Sequence, residues 1–281
     1  MPELAEVELA RRIWAKAQGQ QVQGIEVNGK ARIFRELPAN ALKVLEGKTL
    51  TASLRHGKRM YFSFGDDLQL EVHLGMSGKV YRVTGAYEHR KHDHVILRMS
   101  EDTLILNDYR MFGKVMLHEE KVWTDLPPDP LSRKFNQKHV NALVERWPNK
   151  ILKAALLTQE LFPGVGNWMA DEICWRMKVN PAQKLSGISP VNLFVETKEV
   201  CRGSIKYVAD ANEEEAGAPL NTGFSAGGYA AEVPPKSWLF QHRWKKGGMC
   251  PRCKIELERD TVATRTTAWC DTCQNLKNTD N

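Results

Sequence analysis

Pro2, Glu3 and Glu6 stand at the start of the chain, where removal of Met1 would turn residue 2 into a secondary amine. That removal is expected, because the residue after Met1 is small. An α-amino group has a reference pKa near 8, so about a quarter of it is a neutral nucleophile close to pH 7.4. Amines of this kind attack carbonyl-like carbons. A secondary amine gives only an iminium, which has no N–H to lose and keeps its positive charge as an electron sink. Glu3 lies beside the amine and Glu6 one helical turn on. An ordinary processed terminus shares this start, so the three residues alone do not decide.

A second group carries metal chemistry. Cys250 and Cys253 form one C-x2-C pair and Cys270 and Cys273 another, with sixteen residues between them. This is the spacing of a four-thiolate zinc ribbon. Four cysteines leave no open coordination position, so the zinc is expected to be structural. The runs Lys254 to Glu258 and Thr261 to Thr267 are expected to be the two arms of its hairpin. Cys174 and Cys201, in a helical stretch, read as buried thiols.

The elements that must position these groups fall into three stretches. The first begins with a helical pattern, Val7, Leu9, Ala10, Ile13 and Trp14, and continues as short apolar runs separated by turn residues. The runs are Val22 to Val27, Thr49 to Leu54, Arg59 to Phe64, Leu68 to Leu74, Lys79 to Val83, His94 to Met99, Thr103 to Leu106 and Lys114 to His118. Their spacing predicts a β-sandwich or barrel. Asp125-Leu126-Pro127-Pro128-Asp129-Pro130 is a linker signal, and helical periodicity follows from about His139 to Tyr207. Within it, Phe162-Pro163-Gly164-Val165-Gly166-Asn167 marks a tight turn. Its spacing fits both a plain helix hairpin and a turn whose following helix holds a DNA phosphate through backbone N–H groups and Asn167. Glu213 to Gly228 reads as a mobile loop or a solvated linker, and the last stretch, from about Pro234, holds the four cysteines. The expected domains are therefore residues 1–124, 139–233 and 234–281, with a linker at 125–138.

Composition narrows the function classes. The chain has 281 residues, 42% of them hydrophobic, enough for two or three small cores. No stretch is apolar enough to span a membrane, and charges occupy the place of a signal peptide's apolar run, so a cytoplasmic protein is expected. Lys and Arg outnumber Asp and Glu by 40 to 34, a mild basic excess that permits a nucleic-acid partner. Six cysteines without an export signal argue for metal or free thiols rather than disulfides.

Several motifs then occur together and in order. They are Pro-Glu-Leu-x-Glu-Val-Glu from Pro2, Arg55-His56-Gly57-Lys58, His73-Leu74-Gly75-Met76-Ser77-Gly78 and Lys91-His92-Asp93-His94. Asp108-Tyr109-Arg110-Met111-Phe112-Gly113, Gly164-Val165-Gly166-Asn167 and the four-cysteine finger complete the series. With these the chain resembles the formamidopyrimidine-DNA glycosylase/endonuclease VIII family of base-excision repair enzymes, from Pro2 to Cys273. The resemblance implies an α+β multidomain fold. Its parts are an N-terminal β-sandwich with a catalytic N-terminal helix, a helix-two-turns-helix domain and a C-terminal zinc-finger hairpin.

The resemblance also implies a chemistry. A damaged nucleotide is flipped out of the duplex, and Pro2 attacks C1′ of its sugar. Glu3 serves as general acid and proton shuttle, and the iminium then allows β- and δ-elimination. Glu6 either orients the terminus or is an exposed first-turn carboxylate. Lys58, His73, Asn167 and Arg265 match positions that grip phosphates, Lys58 and Arg265 close to the catalytic centre. His92 and Lys153 match further DNA contacts, the latter near the lesion. Met76, Arg110 and Phe112 match the residues that fill the hole left by the flipped base, and their division between two loops favours the branch acting on oxidised purines. Ala5 and Arg243 depart from the pattern, the latter standing where a phosphate-binding tyrosine is common. The segment 211–237 also aligns poorly. The implied protein is a monomer on damaged double-stranded DNA, with one zinc and no redox cofactor. A related enzyme for oxidised pyrimidines and a non-enzymatic damage binder are the alternatives.

Overall fold

In this computed structural model, residues 1–120, 126–211 and 234–275 are described. The segment Glu213 to Gly228 lies outside them. Helix α1 (Leu4–Ala15) buries Leu4, Ala5 and Leu9 and, along one stripe facing the sandwich core, Val7, Ala10, Ile13 and Trp14. That stripe repeats every three to four residues, the period that turns one helix face inward. Its start is fixed by a capping box between Glu3 and Glu6. This arrangement satisfies helix-end N–H groups that have no partner within the helix.

Eight strands follow: β1 (Val22–Val27), β2 (Leu50–His56), β3 (Arg59–Phe64), β4 (Leu68–His73), β5 (Lys79–Thr84), β6 (Asp93–Met99), β7 (Asp102–Asn107) and β8 (Lys114–His118). They form two four-stranded antiparallel sheets, ordered β1-β6-β7-β5 and β2-β3-β4-β8. Leu50, Phe62, Phe64, Leu70 and Val72 from one sheet share a core with Val22, Val80, Leu97, Leu104 and Leu106 from the other. α1 adds Ile13 and Trp14 to it, and the Trp14 ring lies 5.0 Å from that of Phe62. Burying one side chain of this size contributes about 1.5–3 kcal/mol, so α1 is held by its apolar stripe more than by its cap. Of the two architectures the strand spacing allowed, sandwich or barrel, the structure shows the sandwich.

The other α-helices among the described residues are α2 (Gln137–Arg146), α3 (Leu152–Leu157), α4 (Asn167–Met177) and α5 (Pro190–Ser204). Asn136 caps α2 and Ser189 caps α5 through their side chains. The finger hairpin pairs β9 (Glu258–Val262) with β10 (Arg265–Trp269). Its first arm therefore lies four residues beyond the expected Lys254 to Glu258. Residues 248–250 take up that stretch instead: Leu257 N–H bonds Gly248 O, and Cys250 N–H bonds Ile255 O.

Two compact units result, Met1–Leu126 with 208–232 and Pro127–Tyr207 with 233–281. The finger packs within the same unit as helices α2 to α5. Among the described residues no helix is long and apolar enough to cross a membrane.

Candidate active site and nucleic-acid interface

Pro2, Glu3, Glu6, Lys58, His73, Met76, His92, Arg110 and Phe112 all belong to the first unit. Pro2 is half-buried at the mouth of α1, and Glu3 is buried behind it. The Glu3 N–H donates to Glu6 Oε2 at 3.1 Å. Glu6 thus holds the backbone of the residue next to Pro2. Two residues further, Glu8 is gripped by Arg11 at 2.7 Å and Arg12 at 2.9 Å. Burial works against its charge, but these arginines and Arg55 hold its carboxyl below the usual range.

Lys58 sits in the two-residue turn between β2 and β3, where Gly57 has φ +56° and His56 pairs with Arg59. β4 places His73 between Arg59 on β3 and Lys114 on β8. His73 Nδ1 accepts the Gly75 N–H at 3.0 Å, which puts the ring's proton on Nε2. Burial lowers its pKa to about 4, with help from the charges of Lys58, Arg59, Arg35 and Lys114. A neutral imidazole ringed by four cations is a place for an anion: Nε2–H can donate while the cations supply the field.

Met76 projects from the turn between β4 and β5, and Arg110 and Phe112 from the loop between β7 and β8. Met76 and Phe112 are each 41% exposed, and Tyr109 is 59% exposed. The Arg110 guanidinium lies 4.8 Å over the Phe112 ring. His92 meets the edge of Tyr109, with ring centres 6.5 Å apart. Exposed apolar side chains of this size, grouped and bordered by cations, mark an interaction surface.

The second unit holds Lys153, Asn167, Arg265 and the cysteines. Asn167 is the first residue of α4, and its Nδ2 donates to Thr266 O at 2.8 Å, tying α4 to β10. Arg265 opens β10 directly after a turn at Ala263 and Thr264, and its guanidinium makes no ion pair among the described residues. That leaves a free planar donor at the tip of a hairpin.

Lys153 departs from expectation. Matched by resemblance to a DNA contact near the lesion, it is fully buried in the free protein. Its Nζ donates to Asp171 Oδ1 at 2.5 Å, Thr267 Oγ1 at 2.6 Å and Thr266 O at 3.3 Å. Thr267 Oγ1 gives its own proton to Arg265 O. All three partners are therefore acceptors, and only the ammonium form can serve them. Burial lowers the lysine's pKa while Asp171 opposes the shift. Arg243 is buried too, its Nε and Nη2 donating to Asp171 Oδ2 at 3.0 and 2.6 Å. The same oxygen accepts Ala268 N–H at 3.0 Å. Arg243 is thus committed inward, and one carboxylate between two cations locks β10 onto α4. Sequence reasoning missed Asp171.

The four cysteine Sγ atoms lie within 4.8 Å of one another. The pairs Cys250–Cys273 and Cys253–Cys270 are 4.0 and 3.4 Å apart. Four Zn–S bonds of about 2.3 Å in a tetrahedron require S···S edges of about 3.8 Å, so the residues fit the ion. Trp175 Nε1–H points at Cys250 Sγ at 3.4 Å, the outer support that orients a ligand sulfur. The set can hold a metal ion. Cys174 and Cys201 are buried thiols.

Comparison with known proteins bears on this arrangement. Residues 1–115 match the formamidopyrimidine-DNA glycosylase N-terminal domain, and residues 126–211 match the formamidopyrimidine-DNA glycosylase H2TH domain. The chain is 31% identical over 290 residues to formamidopyrimidine-DNA glycosylase of Lactococcus lactis subsp. cremoris, covering 98% of this chain and 99% of that one. It is 32% identical over 288 residues to the protein of that name from Acinetobacter baylyi, covering 99% of each. A crystal structure of the Lactococcus lactis protein with FAPY-dG-containing DNA superposes with a TM-score of 0.81 at 30% identity, over 97% of this chain and all of that one. Another, with DNA containing an oxidised pyrimidine, gives 0.80 at 29%, over 98% of this chain and all of that one. With such likeness along nearly its whole length, the chain belongs to the formamidopyrimidine-DNA glycosylase family.

Proposed function

We propose that this protein is a bifunctional DNA glycosylase and abasic-site lyase that removes oxidised and ring-opened purines from duplex DNA. The observation that carries this reading is the exposed group of Met76, Arg110 and Phe112 beside the cation-ringed His73. An apolar wedge replaces the stacking lost when a base leaves the helix, and the guanidinium supplies donors for the orphaned partner. His73 Nε2–H with Lys58, and Arg265 with Asn167, act on the phosphates of the bent strand. His92 supports the wedge through Tyr109. Lys153 acts indirectly, by holding β10, on which Arg265 stands.

With Met1 removed, the Pro2 nitrogen forms a bond to C1′ as the bond from C1′ to the base breaks. The base leaves with a proton. Glu3 protonates O4′ as the sugar ring opens, which gives the iminium. Loss of a C2′ proton then expels the 3′ phosphate, a second elimination expels the 5′ phosphate, and water releases the amine. Cys250, Cys253, Cys270 and Cys273 hold one zinc, which supplies structure and no open coordination position.

Borohydride trapping tests this reading on duplexes carrying 8-oxoguanine opposite cytosine, 5-hydroxyuracil or an abasic site. A covalent adduct on the 8-oxoguanine duplex is expected, lost in Pro2→Gly and in Glu3→Gln. A second reading, preference for oxidised pyrimidines, is favoured by the relative whose structure holds such DNA. Trapping on 5-hydroxyuracil without 8-oxoguanine would select it. No adduct on any duplex, with Met1 shown absent by mass spectrometry, leaves a binder and overturns the enzyme.

A further inference from the structure

The wedge residues come from two loops distant in sequence, and one buried carboxylate joins them. Asp108 is completely buried, yet no cation pairs with it among the described residues. Its Oδ1 accepts the Ser77 hydroxyl at 2.5 Å and the Arg110 N–H at 3.3 Å, and its Oδ2 accepts the Gly113 N–H at 2.7 Å. Ser77 follows Met76, whereas Arg110 and Gly113 bracket the other loop. The Asp108 carbonyl accepts the Met111 N–H at 3.1 Å and the ring Nε2–H of buried His94 at 2.9 Å. Met111 is held at φ +54°, a conformation that costs a non-glycine residue energy.

Backbone contact completes the junction. Gly75 has φ +61°, and a Cβ there would come within 2.4 Å of the Phe112 carbonyl group and 2.6 Å of the Gly113 nitrogen. The two loops therefore touch main chain to main chain, with no room for a side chain between them. A buried carboxylate is unfavourable unless its lone pairs are filled. Here every donor that fills them comes from one of the two loops, so separating the loops would strip the charge of partners.

Resting on the glycosylase reading above, we propose that Asp108 and Ser77 are positioning residues. They clamp the Met76 turn to the Arg110–Phe112 loop, so that the three wedge side chains meet DNA as one preformed body. The wedge then needs no ordering when the base flips, and the geometry of one loop dictates that of the other.

The test compares two substrates in single-turnover assays. Excision of 8-oxoguanine from a duplex needs the wedge, because a gap opens in the stack. Borohydride trapping on a single-stranded abasic oligonucleotide needs only the amine, because that substrate has no partner base and no gap. Ser77→Ala removes one hydroxyl and should slow duplex excision about 10- to 100-fold, the cost of a misplacement of about 1 Å. Trapping on the single strand should stay within about twofold of wild type. Ser77→Thr, which restores the hydroxyl, should recover most of the duplex rate. Asp108→Asn should reproduce the selective defect; if that variant does not fold, Ser77→Ala decides alone. Equal losses on both substrates would mean general damage to the fold and would overturn the clamp. So would a Ser77→Ala enzyme as fast as wild type on the duplex. Failure of the glycosylase reading is seen separately, as a wild-type protein with no activity on any duplex.

Discussion

Replacing Asp171 by Asn keeps the shape of the side chain and removes the one negative charge between two buried cations. Lys153 is fully buried and Arg243 is 5% exposed. Their contacts with the carboxylate are 2.5 and 2.6 Å. At such separations each attraction is about 6 kcal/mol for an effective dielectric of 20, before the cost of desolvation. Breaking a buried pair while leaving its partner in place costs about 3–5 kcal/mol net. Asp171→Asn should therefore destabilise the second unit by that amount and lower its melting temperature by roughly 10 °C. Lys153→Met is the control. It leaves Asp171 and Arg243 as a one-to-one pair with the Ala268 N–H still bonded to Oδ2, and should cost less, because no cation is left buried without a counter-charge. Urea unfolding followed by tryptophan fluorescence measures both, because Trp168, Trp175 and Trp238 lie in this unit. The pH dependence adds a signature. Burial already lowers the Lys153 pKa, so the unfolded chain holds that proton at pH values where the folded one has released it. Stability from this group thus rises with pH up to the unfolded value near 10.5. In the variant the folded pKa falls further, and the rise should begin at lower pH. An Asp171→Asn protein within 1 kcal/mol of wild type, or a Lys153→Met protein as damaged as it, would refute this account of the cluster.

The finger and His73 each carry a measurable consequence. One zinc per chain is expected by elemental analysis. Cys253→Ala should lose the ion and with it duplex affinity, since binding on the order of 10–16 kcal/mol folds such a module; full metal content in that variant would rule the site out. His73, with a folded pKa of about 4, is protonated first in the unfolded chain. Above pH 6.5 the ring is neutral in both states and costs nothing; as the pH drops from 6.5 to 4 it removes stability, a loss on the order of 1–2 kcal/mol at pH 5. His73→Gln should flatten the pH dependence of urea stability between pH 7.5 and 5 by that amount, and an unchanged slope would show the ring to be solvated.

The sandwich was legible because its strands, buried on both faces as in β3, read as short apolar runs bounded by turn residues. β3 reads Arg59-Met60-Tyr61-Phe62-Ser63-Phe64, and the eight expected runs meet the eight strands to within two residues at either end. α1 was legible from the helical period of its apolar residues. The finger hairpin was misplaced because its turn carries none of the usual letters. Ala263 and Thr264 take φ of +53° and +61°, positions where Asn and Gly are the expected residues. Without that signal, the strand-like composition of residues 254–258 was taken for an arm, although those residues lie against 248–250.

What stayed hidden in the sequence is of one kind. Asp108 and Asp171 are each a buried carboxylate that collects donors from segments far apart in the chain. Ser77 and Gly113 meet at the first, and Lys153, Arg243 and Ala268 meet at the second. Helix and strand periods report which side a residue faces, and a carboxylate on an inward face reads as an error in the pattern rather than as a joint. Motif likeness fared no better for Lys153, since it carried the residue across without its environment. The burial itself carries information. A carboxylate inside a protein is stable only while its lone pairs are filled, so any displacement of one donor segment is felt by the others. That coupling suits the two surfaces where it occurs. The Met76 and Phe112 loops must present one shape, and Arg265 must stand at a fixed place relative to Asn167. A flexible surface could make the same contacts, but it would lose ordering entropy each time it met DNA. The two buried acids have already met that cost in the folded protein.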